Sequence, residues 1–94
     1  MFDIQMNKNN EIMISGRFDA SQVKTAEAFF SRIQTTCRVN LSRLEYISSA
    51  GLGVLLGAQK NLKDEGHQLI LSHMNDHIRD VFSWARFDMI FKIE

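Results

Sequence analysis

Apolar and polar side chains alternate in two short stretches near the start of the chain. The first runs from Phe2 to Met6 and the second from Glu11 to Ser15, and Asn7-Lys8-Asn9-Asn10 between them has the composition of a turn. Alternation on both sides of a turn predicts a β-hairpin. Gly16 is expected to break the second strand.

Three longer stretches place apolar residues three and four positions apart, and each predicts an amphipathic helix. Asp19 or Ser21 can cap the first helix, and Asn75 or Asp76 the third. The second is expected to run to about Glu65, with Gly66 just after its end. The predicted inward-facing residues are Val23, Ala26, Phe29, Phe30 and Ile33, then Leu52, Leu55, Leu56, Gln59 and Leu62, then Ile78, Val81, Phe82 and Ala85.

Short apolar stretches that separate these helices predict three further strands, Cys37 to Leu41, Gln68 to Ser72 and Met89 to Ile93. The order is then β-β-α-β-α-β-α-β, which predicts one α/β domain over residues 1–94 with a mixed sheet of about five strands. The strand-helix-strand units are long enough for right-handed parallel crossovers.

The second helix begins at a pair of serines, Ser48 and Ser49, followed by Gly51 and Gly53, which add no side-chain bulk. We expect Ser49 to be the N-cap, because a serine hydroxyl can accept from the free N–H groups of the first turn. The positive end of the helix dipole lies at the same place. The sequence therefore predicts a local environment that tolerates a phosphate.

The segment from Asn40 to Leu56 resembles the signature of the bacterial anti-sigma factor antagonists of the STAS domain superfamily. In that signature a strand, a serine turn and a helix opened by Gly-Leu-Gly follow one another. The stretches Gly16–Asp19 and Val81–Ile93 resemble two further elements of the superfamily. The resemblance implies that all helices pack on one face of the sheet.

The resemblance also implies a function for the serine turn. In phosphoregulated relatives the acceptor is the serine two positions before Gly-Leu-Gly, which is Ser49 here. Relatives usually have Asp where this chain has Ser48, so Ser48 is a second candidate acceptor. An unphosphorylated protein of this kind binds an anti-sigma factor that is also a serine kinase and thereby frees the sigma factor. Phosphorylation ends the binding and a phosphatase restores it.

The residues expected to contact the partner lie in and around this turn. Asp19 resembles an acidic family residue near the acceptor, with helix capping as the alternative, and Asn40 is expected near the same surface. For Ser49 the alternative is a structural cap alone. The predicted partner-binding residues are Asp19, Asn40, Ser48, Ser49, Ala50, Gly51, Leu52 and Gly53.

Composition excludes several classes of partner. Lys and Arg together number 11, as do Asp and Glu, so no net charge draws the chain to nucleic acid or to an anionic membrane. Cys37 is the only cysteine, and no stretch has the pattern of a secretory signal or the roughly 20 apolar residues of a membrane span. We therefore expect a full-length, unprocessed cytoplasmic protein without a disulfide and without membrane insertion.

Other patterns favour structural roles. Gly51-x-Gly53-x-x-x-Gly57 lacks the Lys-Ser/Thr of a P-loop, so close packing of helix on sheet is preferred to nucleotide binding. His67, His73 and His77 are expected at the surface without a metal, and Cys37 is expected to pack. No cofactor and no enzymatic activity are predicted, because no acid, base and nucleophile come together.

Four questions stay open at this point. Trp84 lies off the inward stripe of its helix and is either core or exposed for a partner. Arg86 stands where relatives often have Gly, which removes an easy left-handed helix ending. The alternative function is a STAS subunit of a membrane-lipid transport or scaffold assembly, which Ser48 in place of Asp favours. Whether the chain forms a weak homodimer also stays open.

Overall fold

A computed structural model describes residues 1–94 as five strands and three helices. The strands are β1 (Asp3–Met6), β2 (Ile12–Phe18), β3 (Cys37–Ile47), β4 (Leu69–Ser72) and β5 (Lys92–Ile93). The helices are α1 (Val23–Phe30), α2 (Ser49–Asp64) and α3 (Asp76–Trp84), with 3-10 turns at Ala20–Gln22 and Phe87–Met89. The predicted order of elements is confirmed.

The sheet has the strand order β1-β2-β3-β4-β5. β1 pairs with β2 antiparallel, and the other three pairs are parallel and each joined through one helix. Because every crossover steps to the next strand in the same direction, right-handed connections place all three helices on one face. The arrangement implied by the family resemblance is therefore confirmed.

The core lies between that face and the helices. Alternate residues of the three central strands are fully buried: Ile12 and Ile14 in β2, Val39 and Leu41 in β3, and Leu69 and Leu71 in β4. All three helices contribute to the core, with Ala26 and Phe30 from α1, Val54, Leu55, Ala58 and Leu62 from α2, and Ile78 and Phe82 from α3. Val23, Phe29, Val81 and Ala85 pack at its border. The predicted inward faces of α1 and α3 are confirmed, although Ile33 lies beyond the end of α1.

β3 is longer than predicted, because it continues from Leu41 to Ile47. It carries one extra residue relative to β2 between Asn40 and Arg43, and another between Leu44 and Tyr46. Such bulges shift which side chains face inward. The exposed residues Arg43 and Glu45 interrupt the apolar pattern without ending the strand.

Gly16 does not end β2, which continues to Phe18. Gly16 has φ +84° and lies against the backbone of Met1, where an added Cβ would be 2.1 Å from the carbonyl oxygen. Only glycine has both this backbone freedom and this lack of bulk. It continues β2 as the register partner of Leu44, next to the second bulge of β3, and the expected break is wrong.

The connection after α3 also differs from expectation. β5 is only two residues long, because Phe87–Met89 forms a 3-10 turn instead of strand. Arg86 adopts the left-handed conformation itself, with φ +63° and ψ +25°, so the expected loss of that helix ending is wrong. Trp84 is 78% exposed and belongs to the surface.

Candidate functional site

The site begins where β2 and β3 end side by side. Phe18 and Ile47 are register partners at the carboxyl ends of these parallel strands, and the Ser48 N–H donates to the Phe18 carbonyl at 2.9 Å. Asp19 and Ser48 each follow directly. The structure therefore brings Asp19 and the serine turn to one edge of the sheet.

Ser48, and not Ser49, is the N-cap of α2. Its backbone is extended at φ −88° and ψ 172°, and its Oγ accepts from the Gly51 N–H at 3.3 Å. Its carbonyl accepts the first helical bond, from the Leu52 N–H at 2.9 Å. The prediction that Ser49 caps the helix is wrong by one position, because the sheet bond to Phe18 keeps Ser48 outside the helix.

Ser49 is the first residue of α2, and its exposed hydroxyl makes no hydrogen bond within the protein. The first turn of α2 contains no acidic residue. A helix N-terminus carries roughly half a positive charge. Ser49 therefore offers a free hydroxyl beside an electrostatic environment that favours an anion.

The glycines after the serine pair have different environments. A Cβ on Gly51 would be 2.8 Å from the Ile47 Cγ1 and 2.9 Å from the Phe18 carbonyl oxygen, so Gly51 permits close packing of α2 on the strands. Gly53 and Gly57 have nothing within 4 Å of the same position. The packing interpretation of the glycine pattern is confirmed for Gly51 alone.

Asp19 caps the 3-10 turn that precedes α1. Its Oδ1 accepts from the Ser21 N–H at 3.0 Å, and its own N–H donates to the Gln22 Oε1 at 2.8 Å. This reciprocal pair is a capping box. The capping interpretation of Asp19 is confirmed, and a partner contact by the same half-buried carboxylate stays a prediction.

Asn40 does not lie near the serine turn. It is eight positions before Ser48 along an extended strand, a separation of roughly 25 Å at about 3.3 Å per residue. Its side chain is buried, accepts from the Ser42 N–H at 3.0 Å and donates to the Glu11 Oε1 at 3.4 Å. The expected place of Asn40 at the partner surface is wrong, because its amide serves the bulge in β3.

Glu11 and Asn40 belong to a polar cluster that the sequence pattern did not predict. The Asn7 Nδ2 donates to the Glu11 Oε1 at 3.0 Å, and the Arg38 guanidinium lies 3.9 Å from the Oε2. Arg38 also donates to Glu94 through its Nε at 2.9 Å. The hydrogen bond from Asn7, with smaller effects of Asn40 and Arg38, lowers the pKa of the Glu11 carboxyl below its usual 4.5.

α2 has a buried face and an open face. The buried face is formed by Gly51, Val54, Leu55, Ala58, Gln59 and Leu62. Leu52 is half-buried against the core, whereas Leu56 is 41% exposed. Ser48 and Ala50 are half-buried at the edge of the site. The prediction that Leu56 faces inward is wrong, because Val54 and Ala58 occupy that side.

Gln59 links α2 to the segment before β5. Its Oε1 accepts from the Leu69 N–H at 2.7 Å, and its Nε2 donates to the Ile90 carbonyl at 3.0 Å. Ile90 therefore forms one wall of a groove whose floor is the open face of α2. We call this groove the α2 groove, and it is lined by Gly53, Leu56, Gly57, Lys60, Lys63 and Ile90.

The remaining candidate residues lie apart from the serine turn. His73 follows β4 in a left-handed conformation and His77 lies in α3, and no three His, Cys, Asp or Glu side chains are grouped as metal ligands. Cys37 begins β3 half-buried, and burial raises the pKa of its thiol. No helix has the length and apolar character that crossing a bilayer requires.

A family model described as "Mlab, STAS domain" matches residues 3–92. The chain belongs to the STAS domain family. The anti-sigma-B factor antagonist of Listeria monocytogenes is 30% identical to this STAS domain over 88 residues, which cover 89% of this chain and 77% of that protein. BtrV of Bordetella bronchiseptica is 42% identical over 55 residues, 58% of this chain and 47% of BtrV.

Solved structures have the same fold as this STAS domain. The anti-sigma factor antagonist SpoIIAA in its unphosphorylated form matches with a TM-score of 0.74 and 24% identity, covering 100% of this chain and 87% of that one. SpoIIAA in its phosphorylated form matches with a TM-score of 0.71 over 100% of this chain and 91% of that one. The Thermotoga maritima protein TM1081 matches with a TM-score of 0.78 and 20% identity, covering 99% and 85% of the two chains.

Proposed function

We propose that this STAS domain is an anti-sigma factor antagonist whose partner binding is switched off by phosphorylation of Ser49. The observation that carries the proposal is the division of roles between the two serines. The Ser48 hydroxyl accepts a hydrogen bond as the helix cap, whereas the Ser49 hydroxyl is exposed and makes no hydrogen bond within the protein. A kinase can reach Ser49 without opening the helix.

The comparisons support the same function. The Listeria relative carries the name anti-sigma-B factor antagonist and aligns over most of this chain. SpoIIAA, which shares the fold, has been solved with and without phosphate. By analogy the partner of this chain is an anti-sigma factor with serine kinase activity, and this domain is its substrate and not itself an enzyme.

The switch acts on the interface and not on the fold. A phosphate adds about −1.5 to −2 charges, which the N-terminus of α2 stabilises locally. The same group pressed into an interface shaped for a hydroxyl costs several kcal/mol, and about 2.8 kcal/mol already lowers affinity roughly a hundredfold. Phosphorylation therefore releases the partner without a conformational change.

The test is a pull-down from the native host's lysate with wild type, Ser49→Ala, Ser49→Glu and Ser83→Glu as baits. Ser83 is an exposed serine of α3, so Ser83→Glu controls for added negative charge away from the site. We expect wild type, Ser49→Ala and Ser83→Glu to retain a kinase-like anti-sigma factor and Ser49→Glu to lose it. Mass spectrometry of the protein isolated from that host should find phosphate on Ser49.

Two results would contradict this proposal. Phosphate on Ser48 alone would assign the switch to the other serine. Retention of one membrane-transport or scaffold partner by all four baits would make the turn a constitutive docking surface.

A further inference from the structure

The open face of α2 departs from what helix stability favours. Gly53 and Gly57 lie one turn apart inside the helix, where glycine is a poorer helix former than alanine. A Cβ at either position would meet nothing within 4 Å, so no contact inside this domain requires their bareness. Glycine at such positions suits a surface that another backbone approaches closely.

The α2 groove is apolar where it is lined by Leu56 and Ile90. Leu56 is 41% and Ile90 38% exposed, and Gln59 holds the Ile90 carbonyl against the helix. The wall is therefore fixed in place before any partner arrives. Exposed aliphatic side chains beside two bare glycines match the small-and-apolar ridge of a second helix.

The charges of the α2 groove define the occupant further. Lys60 and Lys63 lie at the end of the groove distant from Ser49, and neither forms an ion pair within this domain. The groove has no acidic side chain among its lining residues. If the α2 grooves of two copies faced each other, neither would offer a carboxylate to the lysines of the other.

We infer that the α2 groove docks an acidic amphipathic helix of the partner protein, with apolar residues over Gly53 and Gly57 and carboxylates beside Lys60 and Lys63. The inference rests on the proposed function only for the identity of that partner. Ser49, Gly53, Leu56, Gly57 and Lys60 form one stripe along α2, about 17 Å long at 1.5 Å per residue. The α2 groove contributes affinity for the partner, while phosphorylation in the serine turn controls whether the partner binds.

The test is a nuclear magnetic resonance titration of the full chain with two helical peptides of about 20 residues, long enough to be substantially helical in water. Both carry alanine and leucine on one face, and the other face is glutamate in the first peptide and lysine in the second. The glutamate peptide should shift the amides of Gly53, Leu56, Gly57, Lys60 and Ile90 at up to about 1 mM, and the lysine peptide should not.

Four variants locate the binding. Gly57→Leu fills the groove and Lys60→Glu reverses its charge, so each should weaken the glutamate peptide about tenfold or more. Ala28→Leu adds the same side chain to the exposed surface of α1 and should bind like wild type. Ser83→Glu adds a carboxylate on α3, outside the groove, and should also bind the peptide like wild type. Because the peptide assay involves no phosphorylation of Ser49, it tests this inference separately from the phosphoswitch.

Several outcomes would overturn the inference. They are an absence of shifts in the α2 groove, equal binding of the two peptides, or unchanged binding by Gly57→Leu. Self-association of wild type that Gly57→Leu abolishes would make the occupant a second copy instead. In each of these cases the phosphoswitch proposal would still stand if Ser49→Glu loses the pull-down partner.

Discussion

At the scale of single residues, Ser48 and Ser49 carry the same hydroxyl in different surroundings. The Ser48 Oγ satisfies the Gly51 N–H, and the Ser48 backbone ends the ladder with β2. The Ser49 hydroxyl satisfies nothing inside the domain. One serine contributes to the free energy of unfolding, and the other is available for chemistry.

Alanine at each serine separates these roles. Ser48→Ala removes the cap and should lower the free energy of unfolding by about 1 kcal/mol. Ser49→Ala should change it by less than about 0.5 kcal/mol, as is usual for an exposed site without contacts. Urea unfolding followed by circular dichroism measures both changes in the free energy of unfolding. Trp84 fluorescence is a poor probe of unfolding, because the indole is already largely exposed in the folded protein. Equal losses for the two variants would contradict the assignment.

The sequence predicted the N-cap of α2 to within one residue. It predicted a helix opened by the serine pair, because two serines before an apolar stripe are a strong start signal. Which serine caps depends on where β3 stops, and that is set by the bond from the Ser48 N–H to Phe18, a residue thirty positions away. Local pattern contains no information about such a bond.

At the scale of elements, α2 packs closely against the strands at its first turn, whereas its open face contacts nothing at Gly53 and Gly57. Gly51 lies against Ile47 and the Phe18 carbonyl, whereas Gly57 faces open space. The same substitution should therefore have opposite effects at the two positions.

Gly51→Ala should lower the free energy of unfolding by about 1–3 kcal/mol, because the backbone oxygen of Phe18 cannot move aside. Gly57→Ala should raise it by up to about 1 kcal/mol, since alanine is the better helix former and the new methyl group meets nothing. Thermal and urea unfolding of the two variants test this pair. A destabilised Gly57→Ala variant would mean that the open face of α2 has internal contacts.

The sequence located the elements better than their ends and faces. Alternation and helical spacing found every strand and helix, because those periods follow directly from backbone geometry. They did not find the second half of β3, where bulges place the neighbouring residues Ser42 and Arg43 outward together and Glu45 outward as well. They also assigned Leu56 to the core, because it fits the helical spacing of Leu52, Leu55 and Leu62. Bulges and exposed apolar residues both depend on neighbours distant in sequence.

At the scale of the whole molecule, the polar cluster around Glu11 links three separate parts of the chain. Glu11 at the end of the hairpin turn accepts from Asn7 and Asn40, and Arg38 extends the cluster to Glu94 beyond β5. Because these bonds favour the ionised carboxylate, they lower the pKa of the Glu11 side chain. Folding therefore depends on pH through this residue.

A carboxyl whose pKa is lower in the folded state contributes its full stabilisation of that state above its unfolded pKa of about 4.3. The stabilisation is lost as the pH falls through the folded pKa. Wild type should thus be more stable than Glu11→Gln by a constant amount at neutral pH, and the difference should shrink below about pH 4.3. Urea unfolding at several pH values measures it. Glu45→Gln, which removes an exposed carboxylate without a hydrogen bond, is the matched control. A difference that stays constant down to pH 2 would contradict the role of the carboxylate.

The half-buried position of Cys37 makes the domain convenient for optical experiments. Burial raises the pKa of its thiol, so a maleimide dye should react with it slowly at neutral pH. The thiol introduced by Ser49→Cys would instead lie exposed at a helix N-terminus, where thiol pKa values fall and reaction is fast. A single fluorophore could then be placed on the switch position without removing the native cysteine. The emission wavelength or polarisation of that dye would report the binding and release of a partner in real time.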